Sequence, residues 1–251
     1  MNRRLGLALV ACALAQCGTS PIDAVGVAPA ARSESLLGHW RFDETSGDVA
    51  HDSSGNGRDG LVVGGAWKAD GRFGGALFLN TFDSVSVANF PQAAPSWTVS
   101  VWLRQLTEDL AWGPATVLST EIHNTGGWQM NIFPPNGGNA KTIEFAYWYQ
   151  PRNDYVGVRC QCLIPDVWFH LAAVVDAEEA KILLYQNGML KVTNTMPGKI
   201  APGTPTLLMG VWNDPKDPRP YNGALDDVAV FNRALTAEEV RLLSQNAVID
   251  P

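Results

Sequence analysis

The residues with the clearest chemical potential are two adjacent acids, Asp226 and Asp227, at the head of an apolar run in YNGALDDVAVFNRALTAEEVRLL. Burying an unpaired carboxylate is costly, so the pair predicts a catalytic group, a metal site or a solvated strand end. Side chains alternate between the two faces of a strand, which would place the two acids on opposite faces. We therefore predict that they do not act together on one substrate bond.

The rest of the sequence contains no recognisable catalytic motif. There is no GxSxG, no HExxH and no phosphate-binding glycine loop. The acids of TEDL, DAEEA and TAEEV fall at turns or on a helix, whereas glycan cleavage needs a facing pair of carboxylates. The histidines are isolated in sequence. We predict that the protein is not an enzyme; glycan cleavage by groups assembled from distant strands is the alternative.

The segment DSSGNGRDGLVV, residues 52–63, begins like the calcium-binding loop of an EF-hand but does not end like one. The twelfth position is Val63, which cannot supply the bidentate carboxylate that closes such a loop. The segment is interpreted as a turn that needs Gly and Asn for positive φ.

The N-terminus predicts export. MNRR followed by LGLALVACALA is typical of a secretory signal peptide, assigned to residues 1–16. LAQC resembles a bacterial lipobox, apart from Gln16, and would make Cys17 a lipidated N-terminus; cleavage after Ala15 would release a secreted protein instead. Residues 17–35 are typical of a disordered tether. We expect a bacterial cell-envelope lipoprotein or a secreted protein, bound to a membrane only through that lipid.

Cys160 and Cys162 form a CQC pair further along the chain. Zinc is not expected, because no second Cys pair or His pair supplies the other ligands. In a straight strand, residues i and i+2 stand too far apart for a disulfide, so a disulfide here requires a bend. Two free thiols are the alternative.

Short strands joined by turns are predicted from residue 36 onward. SWTVSVWLRQL alternates as a half-buried strand. WFHLAAVVD, AKILLYQNG and MLKVTNT predict three successive strands, with Asn187 and Gly188 as a two-residue hairpin turn. In LTAEEVRLLSQN, Thr236 and Glu239 predict the capping box of a helix. The pattern predicts an all-β, antiparallel, two-sheet sandwich with one short C-terminal helix.

Six segments carry a family resemblance: HWRFDETSGDVAHDSSGNGRDG, GRFGGALFLN, SWTVSVWLR, VWFHLAAVVD, ILLYQNGML and YNGALDDVAVFNRALTAEEV. In this order and spacing they resemble the laminin G-like, concanavalin A-like jelly-roll domains of bacterial surface proteins. We assign residues 36–251 to such a domain. The resemblance implies a jelly roll of two stacked sheets, a concave face that hosts ligands, and a structural calcium ion.

The resemblance also implies calcium ligands. It assigns the metal to Asp226, together with Asp43 of FDE and Asn56 of the following turn, with backbone carbonyls completing the shell. Calcium suits such a set, because it accepts carboxylate, amide and carbonyl oxygens. The alternative for Asp226 is a carboxylate that caps strand-end amides.

Aromatic residues supply the candidate ligand platform. In IEFAYWYQ, period-two alternation separates Trp148 from the apolar face, so Trp148 is predicted to be an exposed ring. Trp212 lies in the polar, proline-rich loop VWNDPKDPRPYNG, which we predict to be a binding rim. Exposed aromatic rings suit the apolar faces of sugars and partner proteins.

The net charge of −7 excludes nucleic acid as a partner, because no Lys/Arg cluster is present to neutralise phosphates. These observations together predict a non-catalytic, exported, lectin-like module for carbohydrate or a cell-surface partner. The alternatives are a glycan-cleaving hydrolase or lyase of the same fold, and a purely structural cell-adhesion protein.

Overall fold

The computed structural model describes residues 35–106, 114–122, 125–133, 142–214 and 216–246. The predicted signal peptide, Cys17 and nearly all of the predicted tether lie outside these residues. The strands are β1 (Leu36–Trp40), β2 (Val49–Ala50), β3 (Gly60–Val63), β4 (Ala66–Phe73), β5 (Gly75–Leu79), β6 (Ser84–Ala88), β7 (Trp97–Gln105), β8 (Ala115–Ser119), β9 (Trp128–Phe133), β10 (Thr142–Gln150), β11 (Asp154–Cys160), β12 (Phe169–Asp176), β13 (Lys181–Gln186), β14 (Met189–Thr195), β15 (Lys199–Ile200), β16 (Thr206–Met209) and β17 (Gly223–Phe231), and the helix is α1 (Ala237–Leu243).

The strands form two antiparallel sheets. The eight-stranded sheet has the order β14-β13-β12-β7-β17-β5-β4, with β1 also paired to β17. The nine-stranded sheet has the order β11-β10-β9-β8-β16-β6-β3-β2, with β15 also paired to β10. The described chain is thus an all-β jelly-roll sandwich with a short C-terminal helix, as predicted from the sequence.

The main core lies between the two sheets. Its largest fully buried side chains include Trp40, Trp97, Phe145, Tyr147 and Tyr221. A second apolar cluster lies on the outer side of the eight-stranded sheet, where Val240 of α1 covers residues of β12, β13 and β17. Within the described residues, no helix is long and apolar enough to cross a membrane.

Strand β7 is more buried than its sequence predicts, because α1 packs on its outer side. The alternation in its sequence predicts one solvated face, yet eight of its nine residues are buried. The outward side chain of Trp102 donates a hydrogen bond from Nε1 to the carbonyl of Leu243 at the end of α1, 3.4 Å away. The half-buried prediction is therefore wrong, because a strand pattern reports alternation but not what packs on the polar side.

Two local predictions are confirmed. Asn187 and Gly188 form the turn between β13 and β14, with φ of 49° and 74°. The side chain of Thr236 accepts a hydrogen bond from the backbone nitrogen of Glu239, whose carboxylate accepts from the backbone of Thr236. This reciprocal pair fixes where α1 begins.

Candidate functional site

A β-bulge in β17 sets the positions of the two adjacent acids. The pairing of β17 with β7 shifts between Asp226 and Ala229, and Asp227 has a φ of 50°. As a result, Leu225 and Val228, three positions apart, both face the core between the sheets. Asp226 and Asp227 both turn to the outer side of the eight-stranded sheet. The prediction of opposite faces is wrong, because a bulge adds one residue to the alternation.

Asp226 and Asp43 both accept hydrogen bonds from the β4–β5 hairpin. Oδ2 of Asp226 accepts a hydrogen bond from the backbone nitrogen of Phe73 at 2.8 Å, and Oδ1 of Asp43 accepts from that of Gly75 at 2.7 Å. A Cβ atom on Gly71 or Gly74 would collide with the hairpin backbone or with Asp43, so the sequence GRFGG allows this close approach.

The Asp226 carboxylate is incompletely satisfied. Its Oδ1 atom is buried and has no hydrogen-bond partner within the described residues. Burial raises the pKa of Asp226 to about 7, and the charges of Asp227 and Asp43 act in the same direction. The two carboxylates of Asp226 and Asp43 are ligands of the kind that calcium accepts.

Asn56 does not join this pair. Its amide nitrogen donates to the carbonyl of Leu36 at 2.8 Å and to Oγ of Ser54 at 3.0 Å, at the beginning of β1. Asp43 follows the other end of β1 and forms an ion pair with Arg41 at 3.0 Å. Among the described residues there is also no group of three or more His, Cys, Asp or Glu that could hold a metal. Any ion at Asp226 therefore depends on two carboxylates and backbone carbonyls.

Four polar residues are buried on the outer side of the eight-stranded sheet. Nε2 of His39 lies 2.6 Å from Oδ1 of Asp227, and Oγ of Ser100 lies 2.8 Å from Nε2 of His170. Burial lowers the pKa of His170 to about 3, against the opposing effect of the Asp227 charge. Ser, His and Asp are the residue types of a hydrolase triad, but all four side chains are at most 3% exposed. The cluster therefore ties strands together and offers no surface to a substrate.

The outer face of the nine-stranded sheet carries a second polar cluster, on β8 to β11. We call it the polar face; it consists of Thr116, Gln129, Asn131, Glu144, Trp148, Tyr155 and Arg159. Alternate residues of β10, among them Phe145 and Tyr147, point into the core, as predicted.

Glu144 is the centre of the polar face. Its carboxylate, 1% exposed, accepts hydrogen bonds from the Tyr155 hydroxyl and from Nε of Arg159. Arg159 is half exposed, so it supplies the compensating charge from the solvent side. Burial and the Glu144 charge raise the pKa of Tyr155, which keeps its hydroxyl protonated as a donor. Nε2 of Gln129 donates to the same hydroxyl at 3.3 Å.

Two rings border this network. The Trp148 and Tyr155 centroids are 5.8 Å apart at an angle of 57°, and both residues are partly exposed. Nε1 of Trp148 donates to Oε1 of Glu121 at 3.0 Å, which fixes the orientation of the indole. Beside the rings, Oε1 of Gln129 is buried without a hydrogen-bond partner in the described part of the chain. The polar face thus combines an aromatic surface with an acceptor that remains to be satisfied.

The predicted role of Trp212 is wrong. The residue is 3% exposed, and the Arg219 guanidinium lies 3.7 Å from its ring centroid. Its backbone nitrogen donates to the carbonyl of Pro218 at 2.7 Å, so the loop folds back over the ring. Trp212 organises this loop and presents no face to a ligand.

Cys160 and Cys162 form a disulfide with their Cα atoms 5.2 Å apart. Cys160 is the last residue of β11, and Cys162 follows in the loop. Of the two alternatives left by the sequence, the structure shows the disulfide in a bend.

The fold and the motifs agree with a family model. Residues 79–241 match the model of the concanavalin A-like lectin/glucanases superfamily of the laminin G type. The chain belongs to this superfamily. A sequence comparison with curated proteins finds no match for this concanavalin A-like domain.

Solved structures share the fold of the concanavalin A-like domain. One is domain 4 of an extracellular arabinanase from Geobacillus stearothermophilus, solved in complex with arabinotriose, with a TM-score of 0.64 and 23% identity over 84% of this chain and 98% of that one. The botulinum neurotoxin type G receptor-binding domain has a TM-score of 0.63 and 16% identity over 84% of this chain and 51% of that one. The binding domain of Paraclostridial Mosquitocidal Protein 1 has a TM-score of 0.66 and 17% identity over 84% and 52%. The chain spans about half the length of these two toxin domains.

Most of the polar face cannot be predicted from the sequence alone. The alternation of β10 predicts the outward position of Trp148 and places Glu144 on the same face. Gln129, Tyr155 and Arg159 come from β9 and β11, and only strand pairing brings them to Glu144. The usable signal was Glu144 itself, because an acid inside an otherwise apolar and aromatic strand requires a partner.

Proposed function

We propose that this protein is a carbohydrate-binding module and that its ligand docks on the polar face. The observation that carries the proposal is the tilted pair of partly exposed rings, Trp148 and Tyr155, at the border of the polar network around Glu144. Rings of this kind pack against the C–H faces of sugars. The arabinanase domain with bound arabinotriose supports a sugar as the ligand class.

The experiment is a glycan array probed with residues 36–251 and with a Trp148→Ala variant. We expect binding to a defined group of glycans that is lost in Trp148→Ala. The matched control is Trp67→Ala, because Trp67 is also partly exposed but lies in β4 of the other sheet. If no glycan binds above background, or if Trp148→Ala and wild type bind equally, the polar face is not a sugar site.

Calcium belongs to this proposal as a structural ion. Asp226 and Asp43 would hold it, with carbonyl oxygens of the β4–β5 hairpin region as further ligands, and Asn56 would not take part. The unsatisfied Oδ1 of Asp226 supports this assignment. The ion would neutralise the buried carboxylate and join the end of β1 to β17.

Such a module is expected to be exported from the cell. The N-terminal segment supports a signal peptide, and Cys17 supports a lipid anchor as one of two forms of the mature chain. Mass spectrometry of the mature N-terminus distinguishes them: an acylated Cys17 indicates a lipoprotein, and a chain that begins at Gln16 indicates secretion.

Glycan hydrolysis is the second candidate. It is favoured by two carboxylates, Glu121 and Glu144, both of which act electrostatically on Tyr155 at the polar face. Against it, the Glu144 carboxylate is occupied by Tyr155 and Arg159. Release of reducing ends from a polysaccharide panel, abolished in Glu121→Gln and Glu144→Gln, would establish hydrolysis; binding without release supports the non-catalytic module.

A further inference from the structure

A pocket opens on the outer side of the eight-stranded sheet, on the opposite side of the sandwich from the polar face. Its volume is about 630 Å³. Its walls come from β4, β7, the loop before β12, the β13–β14 turn and the end of α1, and the lining includes Arg72, Trp102, Arg104, Asp166, Trp168 and Asn187. We call it the arginine pocket. None of the residues that we assign to sugar binding on the polar face lines it.

Arg72 presents its guanidinium to this pocket. Its Cζ lies 4.5 Å from the centroid of Trp102 and 4.9 Å from that of Phe73, so it packs on both rings. Arg72 is exposed, and no carboxylate in the described part of the chain forms an ion pair with its side chain. Packing on aromatic rings holds the guanidinium in place and leaves its N–H fork available for an anion.

Arg104 provides a second guanidinium with the same kind of support. Its Cζ lies 4.8 Å from the Phe78 centroid and 5.3 Å from the Trp168 centroid. One terminal nitrogen pairs with Asp70 at 3.2 Å, but Nε is buried without a hydrogen-bond partner in the described residues. Arg104 lines the pocket, so its guanidinium adds a second positive charge there.

The other residues that line the pocket indicate which class of ligand it would bind. Asp166 adds a negative charge, which disfavours a compact, multiply charged anion such as phosphate but accepts hydrogen bonds from hydroxyl groups. Oδ1 of Asn187 accepts from the backbone nitrogen of His170, which leaves the amide NH₂ of Asn187 as a donor. Trp168 and the exposed Val167 add apolar surface. A sugar that carries one carboxylate matches this combination of two cations, one anion, an amide and a ring.

We propose that the arginine pocket binds a uronic acid unit of an acidic polysaccharide. The carboxylate would pair with the guanidinium groups of Arg72 and Arg104, the hydroxyls would bond to Asp166 and Asn187, and the ring would pack on Trp168. This site is independent of the sugar site proposed on the polar face, so either proposal stands if the other fails.

The test is calorimetric titration of residues 36–251 with a galacturonic acid trimer and with the methyl ester of the same trimer. The ester keeps the sugar and removes the charge. We expect the acid to bind and the ester to bind at least about tenfold more weakly, because a charge-assisted hydrogen bond is worth that much or more. Arg72→Gln should lose about the same factor toward the acid, while Trp148→Ala should not change it.

The control for total charge is Arg152→Gln, because Arg152 is exposed and lies between β10 and β11, away from the arginine pocket. Equal affinities for acid and ester would overturn the proposal, as would unchanged binding by Arg72→Gln or the absence of binding to the acid. Loss of acid binding in Trp148→Ala but not in Arg72→Gln would assign uronates to the polar face and also overturn it.

Discussion

Oδ1 of Asp227 lies 2.6 Å from Nε2 of His39, although the two residues are 188 positions apart in the sequence. Both are buried, and they join β17, near the end of the domain, to β1 at its beginning. The contact depends on the bulge, because only there does Asp227 turn toward the outer side of the sheet. The first and last strands of the domain are therefore held by side chains as well as by backbone pairing.

This contact predicts a loss of stability in Asp227→Ala. Removing one partner of a buried pair leaves the other uncompensated, so the free energy of unfolding should fall by about 3 kcal/mol. The free energy of unfolding should decrease by less in Asp227→Asn, because Asn keeps an acceptor and tolerates the positive φ. Urea denaturation of the three proteins checks this order, and wild-type stability in Asp227→Ala would contradict it.

The buried His170 predicts a pH dependence of stability. Burial lowers its pKa to about 3, below the unfolded value of about 6.5, so the folded state favours the neutral ring. Its contribution is fully present above about pH 6.5 and is lost as the pH falls toward 3, by up to about 1.4 kcal/mol per pH unit.

In wild type alone, the titration of Asp226 would obscure the pH dependence that comes from His170. Its raised pKa, about 7, makes its own contribution largest at low pH and lost as the pH rises through 7, opposite in sign to that of His170. The quantity to follow is therefore the difference in unfolding free energy between wild type and His170→Gln from pH 4.5 to 6.5. We expect wild type to lose stability relative to the variant as the pH falls, and a constant difference would contradict the assignment.

The calcium proposal predicts that a chelator lowers the melting temperature of wild type. An ion that binds only the folded state stabilises it by about 2.7 kcal/mol at one hundred times its dissociation constant. Asp226→Asn should show no chelator effect, because the central carboxylate is lost. Asn56→Ala should keep the full effect, since Asn56 contacts the other end of β1. An unchanged wild-type melting temperature, together with no bound metal by mass spectrometry, would exclude the ion.

Two tryptophans should separate folding from binding. Trp212→Ala removes a buried ring stacked on Arg219 and should cost about 3 kcal/mol of stability or more. Trp148→Ala removes a partly exposed ring with one hydrogen bond to Glu121, and should cost about 1 kcal/mol. Thermal unfolding and glycan binding measured on both variants test this, and comparable destabilisation would show that Trp148 is also a core residue.

Local signals in the sequence determined the elements and the fold class. The alternation of β10, the Asn187–Gly188 turn and the capping box of Thr236 and Glu239 all formed as predicted. Each depends on interactions between residues only a few positions apart, so a short stretch of sequence contains the information. The six segments in series then identified the jelly roll and brought Asp43 and Asp226 together as a candidate site.

Only the tertiary structure decided the sites themselves. Sheet order and register bring Glu144 to Tyr155 and Arg159, and place Arg72 beside Trp102 and Arg104, which are far away in sequence. The bulge at Asp227 depends on its pairing with β7, and the burial of Trp212 depends on how its loop closes. A sequence pattern gives the face on which a side chain lies within one strand, whereas partner, depth and charge environment are set by strands from elsewhere in the chain.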